Sequence, residues 1–372
     1  MAPATGAAPA AGAAPAAEAT PAAEAAPATG AAPAAEAAPA TGARPAASRP
    51  LIPAARPEAS ATFAERAPLA PRSLLLDVAS AGQRLVAVGE RGHVLLSDDY
   101  GQTWTQAQSV PTRALLTGVC FDNAQEGVAV GHDEVILTTR DAGRTWALAH
   151  FAPEAQQPLL DVTCAGEGHV IAVGAYGVYF SSRDGGVNWS ERRFAALATR
   201  SQADPDRDFH LNKIAAASPT TLYIAAEGGH LYRTDDGGEI WRELPSPYDG
   251  SFFGVKPLGG DVVLAYGLRG NLFRSEDRGA TWRKVETGTH AMLNDAVSLR
   301  TSGATVVVGL SGVVLVSRDG GKSFVLMQQE DRKGLSAARA VGGDTLVVVG
   351  EEGARRIDIV AAAAEVPGVS GP

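Results

Sequence analysis

Residues 181–189 read SSRDGGVNW, and the eight from Ser182 recur with small changes as SDDYGQTW from Ser97, TRDAGRTW from Thr139, TDDGGEIW from Thr234, SEDRGATW from Ser275 and SRDGGKSF from Ser317. A hydroxyl residue, an aspartate two places on, a glycine two further and a closing aromatic together make a turn with a mechanism. The aspartate accepts hydrogen bonds from backbone N–H groups just ahead, and the glycine supplies the positive φ of a tight hairpin. The aromatic then opens the next strand and buries a large ring against a neighbour.

The closing aromatics are Trp104, Trp146, Trp189, Trp241, Trp282 and Phe324, spaced 42, 43, 52, 41 and 42 residues apart. A period near 40–45 residues with several short strands per unit is the mark of a β-propeller blade. The second unit shows the four strands as LLTGVCF, EGVAVG, VILTTR and RTWALA. The phrase resembles the Asp box, or BNR repeat, of sialidases and related propellers. That resemblance gives Asp99, Asp141, Asp184, Asp236, Asp277 and Asp319, with the five tryptophans, a structural role on the hairpin between third and fourth strands. The alternating carboxylates and closing glutamate of an EF-hand loop are missing, so no calcium is expected there.

A second column counts seven units. The apolar residue opening each first strand is Leu75, Leu116, Leu159, Leu211, Phe252, Leu293 and Leu335. The seventh unit has three strands and then dissolves into alanine. Phe63 stands 41 residues before Trp104 and extends the aromatic series back by one blade. The expected fold is therefore all-β: a seven-bladed β-propeller of four-stranded antiparallel blades, over residues 61–360. An N-terminal strand near 61–66 is expected to complete the last blade and close the ring, removing an open edge.

Residues 1–60 are nearly all Ala, Pro, Gly, Thr and Glu, with too few large apolar side chains to offset the entropy of folding. A disordered tether is expected there, and a disordered tail over 361–372. The net charge of −9 and pI near 5.3 argue against nucleic-acid binding. No run is long and apolar enough for a membrane helix, and no basic-then-apolar start marks a signal peptide, which taken literally leaves the chain in the cytoplasm. Neither CxxC nor HExxH occurs, and no metal or cofactor is expected. Cys120 and Cys164 fall in adjacent first strands one register step apart. Their side chains are then expected on opposite sides, without a disulfide.

Function is sought on the face that carries the turns between second and third strands and the links from one blade to the next. Those turns offer Arg91, His132, Asp133, Tyr176, Glu227 and Arg269. The link after Trp189 is about ten residues longer than the others and brings Arg192, Arg193, Arg200, Arg207, His210 and Lys213, while other links add Arg72 and Arg113. Long loops on a rigid scaffold often carry function. Arginines so placed can fork onto the carboxylates of a protein or peptide partner. The competing reading is a solvated loop in which Asp204, Asp206 and Asp208 neutralise the arginines. Asp77, Asp161 and Asp295 share one inner-strand column with Lys213. Paired carboxylates across a cleft are what glycoside hydrolysis requires, and polar residues equally suit a water-filled channel.

The stretch SLLLDVASAGQRLVAVGERGHVLLSDDYGQTW, with the seven compact units, resembles the photosystem II stability and assembly factor family, especially its bacterial relatives outside photosynthetic lineages. The resemblance implies a non-enzymatic propeller, usually exported to a thylakoid lumen or periplasm, that holds a newly made subunit of a membrane complex and bears an arginine-rich patch on one face; a monomer is expected. The alternative is an Asp-box glycoside hydrolase or sialidase using channel carboxylates. No Arg-Ile-Pro motif supports it, since RPLIP at 49 lies in the tether.

Overall fold

A computed structural model describes residues 62–197 and 209–359. The tether and tail expected at the two ends lie outside these residues. Seven antiparallel sheets follow one another along the chain over residues 75–106, 116–150, 159–193, 211–243, 252–285, 293–328 and 335–358, here blades 1 to 7. Each inner strand packs beside the inner strands of the blades before and after it, and that of blade 1 lies beside that of blade 7. The ring is a seven-bladed β-propeller, as the repeat predicts.

Second strands such as Arg84–Gly89 and Thr305–Gly309 are buried almost throughout, because a middle strand is covered on both faces by neighbouring blades. The hydrophobic clusters lie between blades. Val128, Val130 and Ile136 of blade 2 meet Val170, Phe180 and Trp189 of blade 3, so each repeat completes the core of the one before it.

The repeated turn has the same geometry six times. In every copy the first hydroxyl donates to aspartate Oδ1 at 2.6–2.9 Å and accepts from the glycine N–H at 2.7–3.0 Å. The residue before the aromatic donates its backbone N–H to Oδ1 at 2.8–3.0 Å. In five copies its side chain also reaches Oδ2, and only Ile240 cannot. The glycine sits at φ 80–91°, a backbone region that side chains rarely adopt. The Thr103 hydroxyl and backbone N–H bind the ionised Asp99 carboxyl and lower its pKa to about 2.

Two blades depart from four strands. Ala196–Leu197 pairs in parallel with Trp241 and Arg242, giving blade 4 a fifth strand at its outer edge. Among the described residues blade 7 has three, ending at Gly353–Asp358.

The N-terminal segment does not supply the missing strand, contrary to the sequence expectation. Residues 62–67 form no strand and run along the link after blade 1. Ala64 N–H donates to the Val110 carbonyl, Arg113 reaches the Phe63 carbonyl and the Glu65 carboxylate, and Phe63 stays 51% exposed. Two features explain the difference. Arg113 and Gln106 offer this segment polar partners on blade 1, and the short 3-10 turn Ala70–Arg72 already packs on Gly353 at the start of the last strand. The ring closes through apolar packing of Leu75, Val78 and Leu95 with Ala337, Val347 and Val349.

The cysteine expectation also fails. Cys120 and Cys164 form a disulfide with Cα atoms 5.6 Å apart. The one-step register offset does turn them to opposite faces. In a propeller, however, the forward face of one blade meets the backward face of the next, so opposite facing is what brings the sulfurs together.

Candidate protein-binding face and channel

On the face sought for function, six short turns follow one backbone design. Arg91, Asp133, Tyr176, Arg269 and Ser311 occupy the left-handed region at φ 54–60°, and Gly228 takes that place in blade 4. Five of the next residues are glycines, and three of these have no room for a side chain: a Cβ on Gly92, Gly229 or Gly270 would stand 2.0–2.2 Å from a carbonyl oxygen of the following link. Close packing of link on turn thus fixes the middle residue, which projects outward. Arg91, Tyr176 and Arg269 are exposed this way. Non-glycine residues in such conformations cluster at functional sites.

Tyr176, 49% exposed, meets His210 edge-on with ring centroids 4.8 Å apart, and His210 Nδ1 lies 3.9 Å from Glu227. Arg72 and Arg193 are also exposed. Arg113 is engaged with Glu65 and Phe63 as described. Arg200, Arg207 and the three aspartates of the long link lie outside the described residues.

Two of the proposed partner-binding residues face inward instead. Arg192 lies over the Tyr179 ring, 4.4 Å from its centroid, and donates to the Gly238 carbonyl of blade 4. The strand Ser190–Arg193 alternates sides, so of two neighbouring arginines one must turn toward the next blade. Phe194 follows it inward against Tyr232 and Trp241. Lys213 points into the channel, where its ammonium lies 3.3 Å from Asp161 Oδ1.

The channel wall explains the inner-strand carboxylates. Asp77 accepts from Val119 N–H of blade 2, Asp161 from Ile214 N–H of blade 4, and Asp295 from Ala338 N–H of blade 7, at 2.9–3.0 Å. Where that column holds Gly118 or Lys213, the residue before it takes over: Thr117 and Asn212 donate to carbonyls of the following blade. These side chains stitch blade to blade, a use of the column that spacing alone did not reveal. The bulge beside each position, between Leu75 and Asp77 for example, aims the side chain at the next strand.

Burial raises the Asp161 pKa to about 6 against the opposing pull of the Lys213 ammonium. Burial also works against the charge of Lys213, but Asp161, Asp77 and Asp295 outweigh it and raise its pKa well above the usual range. Lys213 keeps 24% of its side chain open to the channel, so water moderates its desolvation. Because Asp161 binds its proton more tightly folded than unfolded, its contribution to stability declines as pH rises from about 4 to about 6. Melting temperatures of Asp161→Asn measured across that window will show a flatter decline than the parent protein. Equal slopes would refute the assignment.

Among the described residues no helix is long and apolar enough to cross a membrane. Residues 150–296, from blade 3 into blade 6, match the family model of the photosynthesis system II assembly factor YCF48. No curated protein matches the chain in sequence. Among solved structures, YCF48 bound to a D1 peptide is 18% identical with a TM-score of 0.61, covering 80% of this chain and 96% of that one. YCF48 from Cyanidioschyzon merolae is 17% identical with the same TM-score, covering 78% and 97%. The WD40 propeller domain of Doa1 is 12% identical with a TM-score of 0.58, covering 80% and 95%. The Doa1 likeness marks the architecture, and the family match adds sequence across four blades. Together they show a seven-bladed propeller that is similar in sequence to that family over residues 150–296.

Proposed function

We propose that this protein is a non-enzymatic scaffold that assists assembly of a membrane protein complex by holding a subunit or peptide on the face bearing Arg91, Tyr176, His210 and Arg269. The observation that carries the reading is the family match over residues 150–296. A solved YCF48 of similar fold was captured with a D1 peptide, which supports a peptide as the kind of partner. Arg72 and Arg193 extend the same basic surface in this reading, and Arg200 and Arg207 join the proposed site by their sequence position in the long link alone. The channel carboxylates speak against a hydrolase, since each is engaged by a neighbouring strand. The Cys120–Cys164 bridge supports an oxidising compartment such as a periplasm, because disulfides persist poorly in the reducing cytosol.

The test is fluorescence anisotropy of labelled acidic peptides, drawn from extramembrane segments of complex subunits, against the full chain. Arg91→Glu combined with Arg269→Glu should weaken binding at least about tenfold, since each change replaces attraction with repulsion. Arg318→Glu, on the opposite face within the sixth repeated turn, should leave it unchanged. Equal loss from both would remove the face assignment, and no binding by any peptide would remove the function.

A further inference from the structure

The channel holds a second feature that the inter-blade stitching does not use. A cavity of about 320 Å³ runs along the inner strands. One layer of it is acidic, with Asp77, Asp161 and Asp295 two residues beyond the strand-opening position. Two residues further along each strand, roughly 6–7 Å toward the face with the repeated turns, that layer contains no carboxylate. It reads Ala79, Cys120, Thr163, Ala215, Lys256, Val297 and Arg339.

Lys256 of blade 5 and Arg339 of blade 7 line the cavity on either side of blade 6. Among the described residues Lys256 has no hydrogen-bond or ion-pair partner, and Arg339 has only its Nε–H donated to Ser80 Oγ at 3.1 Å. Tyr266, whose ring lies across Gly254, brings a hydroxyl to the same cavity, likewise without a hydrogen bond to the described residues. Lys256 and Tyr266 therefore face the void without an acceptor among the described residues, and Arg339 brings the rest of its guanidinium to the same void beside its one bond to Ser80. The three carboxylates above them are already engaged, by Val119, by Ile214 with Lys213, and by Ala338.

We propose that the channel binds one small oxyanion, of the phosphate or carboxylate kind, between Lys256 and Arg339. A guanidinium fork and an ammonium converging on one space suit an oxyanion, whose several acceptor atoms can take both at once. Burial supports the idea from both sides. It lowers the Lys256 pKa, a cost that a bound anion relieves, and raises that of Tyr266, which keeps the hydroxyl a donor. The site lies inside the ring and is separate from the proposed peptide-binding face.

Isothermal titration of inorganic phosphate into the full chain, in Tris chloride at neutral pH, tests it. Saturable one-site binding is expected, and Lys256→Gln and Arg339→Gln should each weaken it about tenfold, as loss of a charged hydrogen bond does. Lys284→Gln, on the exposed outer strand of blade 5, should change nothing. A parallel titration with acetate distinguishes the sources: tighter phosphate identifies a phosphate site, and equal or tighter acetate a carboxylate site. If a channel variant fails to fold, Tyr266→Phe gives a weaker but measurable loss. Absence of saturable binding by either anion, or channel variants that bind like the parent, would overturn the proposal. Neither result depends on whether a peptide binds the outer face.

Discussion

Reducing the Cys120–Cys164 bridge will lower the melting temperature by about 6 °C. The bridge closes a 44-residue separation, and a loop of that size removes about 4 kcal/mol of unfolded-chain entropy. For a domain of this length, that translates into the stated shift. The effect arises in the unfolded chain, so the reduced protein should keep its fold and lose only its margin. Differential scanning calorimetry with and without reductant, beside the double variant Cys120→Ala with Cys164→Ala, measures it. The two must agree, and reductant should leave the double variant unaffected. A parent protein whose melt ignores reductant, and which yields two free thiols on unfolding without reductant, would show that the bridge does not form.

The second large effect is at Trp241, which is 1% exposed between blades 3 and 4 and packs against Phe194 at 5.8 Å and Tyr179 at 6.4 Å. Trp241→Ala should cost about 3–5 kcal/mol through lost burial and the cavity left behind. Trp241→Phe should cost less than half as much, because the Trp241 indole N–H makes no hydrogen bond to the described residues. Trp146 and Trp189 differ: their indoles donate at 2.9 Å to the glycine carbonyls of their own turns, at Gly143 and Gly186. In blade 4 the equivalent carbonyl, Gly238, is taken by Arg192. Trp146→Phe should therefore cost about 1 kcal/mol more than Trp241→Phe, the value of one orphaned buried acceptor. Urea denaturation of the three variants reads the ranking directly, and a Trp241→Phe protein as unstable as Trp241→Ala would refute it.

Blade number, strand order and turn chemistry were legible because each is written locally and repeated. Ser182, Asp184, Gly186 and Trp189 lie within eight residues, and the side-chain hydrogen bonds that build the turn stay within that window. What failed depends on how neighbouring blades meet. The facing of Cys120 and Cys164 was read correctly within each strand, but the geometry between strands gave it the opposite meaning. Phe63 matched the aromatic column by spacing, yet Arg113, fifty residues away, holds that stretch on blade 1. Arg192 and Arg193 look alike in sequence, and only strand alternation against Tyr179 separates a packing residue from a surface one. The column of Asp77, Asp161 and Asp295 was found by alignment, while its purpose lay in the backbone N–H groups of the following blades.

Among the described residues the seventh blade has three strands, with Gly353–Asp358 outermost in its sheet. A bare strand rim is an invitation to join another chain, and proteins commonly deter this with charge. The sequence along that rim is Gly-Ala-Arg-Arg-Ile-Asp, with Arg356 and Asp358 outward and Arg355 tied to Asp331. Two such rims brought together would have to desolvate those ions. Solubility at high concentration is thus written into three of its six residues, and an apolar replacement for Arg356 is where self-association would begin.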